Sequence, residues 1–439
     1  MLTAGFYWIA LVSAQLQALS PPEQSSTPLK IVPLDKQYIP VQRNNVTVAY
    51  KTAYFGTIQV GVQRQSFTVV FDTGSGHLIL PSTRCREGGC SRQRRFDESA
   101  SVSAIPISYD GARVPPGASG RDEVDIGYGT GRIVGDFVEE TVCLHGSSEE
   151  GTAAVGGDSC TRMRVVLATQ MTEKPFASFE FDGILGLGLA GLAVEPEFSF
   201  FRQMTQLGFG SGEARFGYFL SRHDSVPSEI SFGGYDGRRA ATALQWLPVH
   251  RAELGYWQLR IYGVIVGGRP LPMCEAGGCV GVVDTGTSML GAPSRVVKEL
   301  HRLLARRVPG DPSSVDCRDF PGPEIVFDLG GFNVTIGPED YSRPMALRVV
   351  QSTASASPSQ VLCRASILPL EDGLSLGPQA WIFGEPVLRR YYTAYDWSSE
   401  MIGFAQSAQP PQSPGSGRAR HVVHGRPPDI PQIPANIIV

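Results

Sequence analysis

The segment Val69-Val70-Phe71-Asp72-Thr73-Gly74-Ser75 returns in the second half of the chain as Gly281-Val282-Val283-Asp284-Thr285-Gly286-Thr287. Each copy is an apolar run followed by an aspartate, a hydroxyl residue, a glycine and a second hydroxyl residue. The apolar run predicts a buried strand, and the glycine permits a sharp turn directly after it. One copy alone would indicate an ordinary aspartate turn. Two copies in matching contexts predict a duplicated lobe that brings two carboxylates face to face.

Further short motifs accompany the two aspartates in a fixed order. Tyr128-Gly129-Thr130-Gly131 follows the first aspartate, and an apolar-apolar-glycine segment follows each aspartate at 181–186 and 381–384. Gly255-Tyr256-Trp257-Gln258 and Arg390-Tyr391-Tyr392-Thr393 complete the set. With the two Asp-Thr-Gly triplets, these motifs make residues 46–405 resemble the pepsin-like aspartic proteases, for which the combination is highly specific.

The resemblance implies a mostly β fold with two pseudo-twofold-related, β-rich lobes and an active-site cleft between them. A chain of 439 residues is too long for one small core, and 50 glycines and 33 prolines among short apolar runs favour β structure. We expect the following division: a signal peptide in 1–20, a short pro-segment or linker in 21–45, the N-terminal lobe in 46–228, the C-terminal lobe in 229–406 and a disordered Pro-rich tail in 407–439.

Asp72 and Asp284 are the expected catalytic pair. Two carboxylates a few ångström apart cannot both ionise readily, so they share one proton, and aspartic proteases are the reference case for this effect. The ionised carboxylate can take a proton from a water molecule while the protonated one binds the scissile carbonyl oxygen. The resemblance therefore implies an aspartic endopeptidase that acts on protein or peptide substrates, at acidic pH, with no metal and no cofactor.

The residues beside the aspartates are expected to support the active loops. By resemblance, Thr73 and Thr285 cross-link the two loops, and Ser75 and Thr287 hold the carboxylates from outside, while Gly74 and Gly286 allow the turns. The alternative is that the hydroxyl residues simply cap the turns, which is compatible with these roles.

Tyr128, Gly129 and Thr130 resemble the flap that closes over the substrate in this family; the alternative is an ordinary hairpin tip. The family usually has a tryptophan seven residues after the first aspartate, where it hydrogen-bonds the flap tyrosine. Here that residue is Ile79, so we expect a differently held flap and a reshaped pocket. Expected pocket residues, which favour bulky apolar substrate side chains, are Val70, Ile79, Phe181 and Ile184.

Two further departures from the family pattern flank the site. His77 stands where a small polar residue is common, and Glu385 stands where an aspartate is usual. Neither is a catalytic position. In addition, Lys30 and Lys36 precede the first lobe, and in related zymogens a pro-segment lysine pairs with the catalytic aspartates. The sequence leaves open whether these two lysines do so or are incidental cations of a linker.

Eight cysteines fall four to each half, which with a signal peptide indicates an oxidising compartment. No histidine lies at zinc-ligand spacing beside them. The resemblance implies the pairs Cys85–Cys90, Cys274–Cys279 and Cys317–Cys363, which leaves Cys143 and Cys160 for each other.

The apolar stretch 6–14 is too short for a comfortable membrane span. It predicts a signal peptide, with an uncleaved anchor as the alternative. We expect a monomer, with no membrane span in the mature chain, in the secretory pathway, either secreted or in an acidic vacuole or endolysosome. A net charge of −4 gives no footprint for nucleic acid, and Asn45 and Asn333 head glycosylation sequons.

Three other functions match parts of the sequence. The glycines at 186–191 match a dinucleotide fingerprint by letter, but turn formers follow where a helix must start. Gly157-Asp158-Ser159 is a chance match to a serine-protease nucleophile. The remaining rival is an inactive pepsin-fold protein that binds peptides or proteins. Two intact Asp-Thr-Gly triplets favour the enzyme.

Overall fold

The computed structural model describes residues 29–43, 46–86, 88–118, 120–145, 159–206, 214–274, 277–309, 315–349, 360–371, 376–409 and 422–425. The expected signal peptide, Asn45, the interior of the loop between Cys143 and Cys160 and most of the C-terminal tail lie outside these residues.

Most of the regular secondary structure in the described residues is β-strand. In the first half they are β1 (Lys30–Arg43), β2 (Val46–Val60), β3 (Gln65–Asp72), β4 (Leu78–Pro81), β5 (Ile105–Ile107), β6 (Val124–Tyr128), β7 (Gly131–Leu144), β8 (Cys160–Met171), β9 (Gly183–Gly186), β10 (Arg215–Phe219) and β11 (Ser228–Phe232). In the second half they are β12 (Gln245–Pro248), β13 (Gln258–Ile261), β14 (Gly263–Val266), β15 (Arg269–Pro270), β16 (Cys279–Val283), β17 (Leu290–Pro293), β18 (Arg306–Arg307), β19 (Ile325–Asp328), β20 (Asn333–Ile336), β21 (Leu347–Val349), β22 (Gln360–Cys363), β23 (Ile367–Leu370), β24 (Ala380–Phe383), β25 (Tyr391–Asp396), β26 (Met401–Gln406) and β27 (Val423–His424).

The described helices are short: α1 (Phe200–Gln206), α2 (Ser294–Leu304), α3 (Pro338–Tyr341) and α4 (Glu385–Arg390). Single 3-10 turns lie at Gly88–Ser91, Glu98–Ala100, Phe176–Ser178, Ala190–Leu192, Pro196–Phe198, Gly237–Arg239 and Ala252–Leu254. The longest helix, α2, buries Leu300 and Leu304 on one face, as its 3.6-residue periodicity requires. Among the described residues, none of the helices is long and apolar enough to cross a membrane.

The two halves repeat one arrangement of four strands. In the first half, β3 pairs in parallel with β9, β9 pairs antiparallel with β4, and β4 pairs in parallel with β8. In the second half, β16, β24, β17 and β23 are joined by the same succession of pairings. The apolar runs before each aspartate are buried because strands in the middle of such a sheet are covered on both faces. The mostly β, two-lobed fold expected from the resemblance is therefore present.

A large sheet runs through both halves of the chain, with β12, β26, β25, β10 and β11 on one side of β1 and the strands of the first lobe on the other. Its neighbour, the five-stranded sheet β13-β16-β24-β17-β23, carries the second active loop. Fully buried aromatic side chains belong to the core cluster of both halves, among them Trp257, Trp381, Tyr395 and Phe71.

The segment 21–45 was expected to be a linker or pro-segment without a packed pattern. For residues 30–43 this expectation is wrong, because they form a packed strand. β1 pairs with β11 through Lys30–Leu34 and with β2 through Asp35–Arg43. Val32 and Leu34 are completely buried. One partner of β1 is β2, which follows it directly, but the other is β11, which lies far along the chain and supplies pairing that local composition does not reveal.

The tail from residue 407 was expected to be disordered, and this is corrected for 407–409 and 422–425. Gln409 accepts a hydrogen bond from the Arg222 backbone N–H (2.9 Å) and donates to the Leu220 carbonyl oxygen (3.1 Å). Val423–His424 forms β27, which pairs in parallel with Lys36 and Gln37 of β1.

Four disulfide bonds are present among the described residues, Cys85–Cys90, Cys143–Cys160, Cys274–Cys279 and Cys317–Cys363. Cys143 and Cys160 lie directly opposite each other on β7 and β8. The bond thus joins the two strands at the end of the hairpin where the connecting loop begins.

Candidate active site

Asp72 and Asp284 stand at equivalent points of the two repeats. Asp72 is the last residue of β3 and pairs with Gly186 of β9. Asp284 follows β16, and its backbone N–H donates to the Phe383 carbonyl oxygen at 3.2 Å. Asp72 is 2% exposed, whereas Asp284 keeps partial access to the cleft.

The two active loops approach each other so closely that neither glycine could carry a side chain without a clash. A Cβ atom placed on Gly74 would lie 3.0 Å from the Asp284 carboxylate, and one on Gly286 would lie 2.5 Å from Asp72 Oδ1. The structure therefore brings the two carboxylates together across the loops, one from each half of the chain.

Thr73 and Thr285 join the loops through a symmetric set of hydrogen bonds. Each backbone N–H donates to the hydroxyl of the other threonine at 3.0 Å. The Thr73 hydroxyl in turn donates to the Val283 carbonyl oxygen (2.8 Å), and that of Thr285 to the Phe71 carbonyl oxygen (2.6 Å). Four buried hydrogen bonds thus tie the end of β3 to the end of β16.

The second hydroxyl of each motif behaves differently in the two loops. Thr287 donates to Asp284 Oδ2 at 2.6 Å, and the Gly286 N–H donates to Asp284 Oδ1 at 2.8 Å. On the other side, the Gly74 N–H donates to Asp72 Oδ1 at 2.9 Å. The buried Ser75 hydroxyl, however, does not bond Asp72 and lies beside the Tyr128 hydroxyl. The expectation that Ser75 holds Asp72 from outside does not describe this conformation.

Tyr128 takes the position on Asp72 that Thr287 takes on Asp284. Its hydroxyl donates to Asp72 Oδ2 at 2.5 Å, from the end of β6 in the hairpin that β6 and β7 form. Gly129 has a φ of 58°, which a glycine adopts without strain, and Gly129 and Thr130 are exposed at the tip. Burial and the charge of Asp72 raise the pKa of the Tyr128 hydroxyl well above its usual range. The hairpin is therefore closed onto the first carboxylate.

A small apolar cavity of about 10 Å³, enough for about one water molecule, lies beside this hairpin. Ile79 lines it, directly opposite Ile184 in the pairing of β4 with β9. Phe181 stacks on Phe179 with ring centroids 4.6 Å apart. The remaining lining residues include Ile133, Met171, Phe176 and Asp182. The shorter Ile79 side chain thus leaves a space bounded largely by aliphatic and phenylalanine side chains.

Val70 lies outside the lining of this cavity but in the same apolar cluster as Phe55, Phe181 and Ile184, with Tyr128 packed on it. The sequence analysis did not identify Phe55, Phe176 or Phe179. Phe55 could have been found, because its strand alternates towards the first aspartate and it faces Val70 across β2 and β3. Phe176 and Phe179 lie in a loop after β8 without any periodic pattern.

His77 is buried behind the first active loop. Its Nε2 accepts a hydrogen bond from the Val194 N–H at 3.0 Å, and its ring meets the Phe198 ring edge-on at 5.4 Å. Burial lowers the pKa of the imidazole from 6.5 to about 4. A neutral His77 is thus required for the acceptor role.

Glu385 links the two halves behind the second active loop. It accepts hydrogen bonds from Tyr54 (2.7 Å) and from the Thr52 hydroxyl, both on β2. Its backbone N–H donates to the Thr287 carbonyl oxygen at 2.9 Å. The longer acidic side chain therefore reaches from the Thr287 loop to the first half of the chain.

The surroundings of the dyad also raise the pKa of Asp284. Desolvation and the neighbouring charge of Asp72 raise it from 3.8 to about 7. Two close carboxylates behave in this way because the second charge is unfavourable once the first is present.

The lysines before the first lobe do not reach the dyad. Lys36 donates to Tyr38 (2.8 Å) and to Asp224 Oδ1 (3.1 Å), and Lys30 begins β1 opposite Phe232. The hypothesis that Lys36 pairs with the catalytic carboxylates is wrong for this conformation, because β1 holds its side chain at Asp224.

The described residues contain no cluster of three or more histidine, cysteine, aspartate or glutamate side chains arranged to hold a metal ion.

Comparison with known proteins gives a consistent result. The family model for eukaryotic aspartyl protease matches residues 53–407. Cathepsin E of Rattus norvegicus is 30% identical over 358 residues, which cover 80% of this chain and 79% of the relative. Cathepsin D of Homo sapiens is 31% identical over 363 residues, covering 81% of each protein. Pepsin A of Sus scrofa is 29% identical over 361 residues, covering 81% of this chain and 82% of the relative.

Proposed function

We propose, from the premise that the chain belongs to the eukaryotic aspartyl protease family, that Asp72 and Asp284 are the pair that activates water in this enzyme. Members of the family are aspartic-type endopeptidases, and this chain is a hydrolase of that type acting on proteins or peptides. The observation that carries the proposal is the approach of the two loops, in which each glycine faces the opposite aspartate with no room for a Cβ atom.

In the reaction we assign the shared proton to Asp284, whose pKa is raised to about 7. Asp72 then accepts a proton from the attacking water, while the protonated Asp284 donates a hydrogen bond to the scissile carbonyl oxygen. The pair is titrated as a unit. As the tetrahedral intermediate collapses, the proton taken from water passes to the leaving amine, so Asp72 and Asp284 return to their initial state.

The closed flap must lift before substrate can enter. In the closed form the Tyr128 hydroxyl occupies Asp72 Oδ2, where the catalytic water has to bind. We propose that a bound peptide displaces Tyr128 and that the hydroxyl of Ser75, which lies beside Tyr128 in the closed form, then supports Asp72 as Thr287 supports Asp284. Closure of the flap over the peptide would exclude bulk water.

The pH range follows from the charge state of the dyad. A pair that must hold one proton loses activity as pH rises through the pKa of Asp284, which is about 7. Below that value Asp284 stays protonated. We therefore propose that the enzyme works on the weakly acidic side of neutrality.

The cavity beneath the flap favours substrates with a bulky apolar residue. Ile79, Phe181 and Ile184 contribute apolar surface to it, and burial of apolar area stabilises a complex by about 25 cal/mol per Å². We propose that Val70 contributes through the packing of Phe181 and Ile184 and not by direct contact.

The remaining expectations stay proposals. We propose a monomer with an N-terminal lobe in 46–228 and a C-terminal lobe in 229–406, and a secretory-pathway location, which four disulfide bonds support. Asn333 is exposed at the start of β20 and is available for glycosylation.

The test is cleavage of a denatured protein between pH 4 and pH 7, with and without a pepstatin-type inhibitor. Inhibitor-sensitive cleavage supports the proposal. A folded protein that binds the inhibitor or a peptide without cleaving any substrate would instead support the rival function, a peptide-binding member of the fold.

A further inference from the structure

The free edge of β1 binds a segment from the far end of the chain. β1 leaves β11 after the pair Leu34–Ser228, and β27 then lies beside Lys36 and Gln37. The Lys36 N–H donates to the Val422 carbonyl oxygen at 3.0 Å. The Val422 N–H donates to Asp35 Oδ1 at 2.6 Å. Both backbone groups of Val422 are thus satisfied by β1, one by the backbone of Lys36, as in strand addition at a sheet edge, and one by the side chain of Asp35.

The docked segment lies next to the apolar wall of the cleft. The His424 ring is 5.6 Å from the Phe55 ring, and Phe55 is 5.7 Å from Phe181. Phe181 lines the cavity under the flap, and Tyr128 packs on the same cluster. One phenylalanine ring therefore separates His424 from the wall of the proposed substrate groove.

The strand that binds the segment also holds that wall in place. Gln37 donates to the Ser178 carbonyl oxygen at 2.9 Å, and its own Oε1 accepts the Glu180 N–H at 2.9 Å. Phe179 and Phe181 flank Glu180 in sequence. Gln37 therefore connects the strand that binds the segment to the loop that carries Phe179 and Phe181.

We propose that Val422–Gly425 is an intramolecular strap that docks on the β1 edge and restricts entry of long peptides to the groove at Phe55 and Phe181. The proposal rests on the proposed endopeptidase function. It commits to this segment of the same chain as the occupant. Gln409 is anchored by Arg222 and Leu220, and the thirteen peptide units from there to Val422 can reach roughly 45 Å.

The chemistry of the site defines the kind of peptide that fits. An extended backbone is needed for the bonds to Lys36 and Asp35, and an aromatic or imidazole ring two positions after the bonded residue is needed for Phe55. The sequence 418–426 carries three arginines and two histidines, so it is a basic segment whose bonded residue faces the carboxylate of Asp35.

Two pairs of full-length variants test the strap. Val422→Pro removes the N–H that Asp35 accepts, whereas the control Val422→Ala keeps it. His424→Ala removes the ring from Phe55, whereas His424→Phe keeps an aromatic contact. The first readout is hydrogen exchange of the Lys36 amide. The second is KM for a substrate of eight or more residues compared with one of four residues.

We expect Val422→Pro to accelerate Lys36 exchange at least tenfold and to lower KM for the long substrate three- to tenfold, with kcat and the short substrate nearly unchanged. Val422→Ala should behave as the parent chain, and a synthetic peptide of residues 420–426 should raise KM again in Val422→Pro. His424→Ala should lower KM, and His424→Phe should not.

Unchanged Lys36 exchange in Val422→Pro would show that the segment does not dock. Faster exchange with an unchanged KM would show that it docks without restricting the groove, and either result overturns the strap. Exchange that depends on protein concentration would assign the segment to a second copy and overturn the intramolecular proposal. If the parent chain hydrolysed no substrate, the proposed function would be contradicted instead. Failure of the strap and failure of the proposed function are therefore distinguishable.

Discussion

At the scale of single residues, Ile79 decides how the flap rests. The residue is 3% exposed and borders the small apolar cavity beside the flap, while Tyr128 donates its hydrogen bond to Asp72. We expect Ile79→Trp to fill the cavity and offer an indole N–H to Tyr128, which would draw its hydroxyl away from Asp72. One such bond is worth roughly 0.5–1.5 kcal/mol, so KM should fall by up to about tenfold.

The matched control for this change is Ile79→Phe, which fills space without offering a donor. Steady-state kinetics on one peptide substrate compare the three proteins. Equal KM values for the tryptophan and phenylalanine variants would show that volume and not the hydrogen bond holds Tyr128.

Protonation of His77 lowers the stability of the folded protein at acidic pH. Its pKa is about 4 in the folded chain and about 6.5 when unfolded, so the unfolded state binds more protons between these values. Stability contributed by neutral His77 is therefore present above pH 6.5 and is lost as pH falls towards 4. The loss is on the order of 3 kcal/mol.

We expect His77→Asn to remove most of that loss, because an amide oxygen accepts the Val194 N–H at any pH. Denaturant unfolding of both proteins at pH 7 and at pH 4 measures it, with the exposed His145→Asn as the control. A variant that loses as much free energy of unfolding on acidification as the parent chain would contradict this account of His77.

At the scale of elements, the Cys143–Cys160 bond closes the hairpin of β7 and β8. Its sequence separation of 17 corresponds to about 3 kcal/mol of chain entropy in the unfolded state. We expect the double variant Cys143→Ala/Cys160→Ala to lose about 2–3 kcal/mol of unfolding free energy while kcat stays the same. The double variant Cys85→Ala/Cys90→Ala, with a separation of 5, should lose less. The reverse order would exclude the entropic explanation.

The elements also show what the sequence could reveal. The active loops, the flap and the paired strands behind them were predictable, because each is encoded by a contiguous motif such as Asp72-Thr73-Gly74. β1 was not, because its Pro-rich segment has no periodic pattern and its partner β11 comes from a distant segment. The contact of β27 with β1 was not predictable either, because a strand of two residues has no periodic pattern.

Side-chain partners were the least predictable part of the site. Nothing local distinguishes Ser75 from Thr287, yet Thr287 binds its aspartate and Ser75 does not, because Tyr128 already occupies Asp72. Likewise, the charge of Lys36 suggested the dyad, but the register of β1 directs it to Asp224. Such choices depend on three-dimensional packing and not on spacing.

At the scale of the whole molecule, hydrogen bonds between the two halves of the chain hold the site together. Four hydrogen bonds of Thr73 and Thr285 tie the active loops, and Glu385 ties the second loop to Tyr54 of the first half. Both sets of bonds cross between halves of the chain. The approach of Asp72 and Asp284 is therefore a property of the assembled molecule, and neither half would hold the dyad by itself.

The most direct test of the central claim is the pH profile of kcat/KM for the parent chain, Asp72→Asn and Asp284→Asn. We predict that activity of the parent falls as pH rises through about 7, where Asp284 loses its proton. In each asparagine variant, kcat/KM should fall about 100- to 10,000-fold, because the general base or the general acid is missing. Circular dichroism should show that each variant is folded. Near-normal turnover in either folded variant would contradict the claim that the two aspartates act as one catalytic pair.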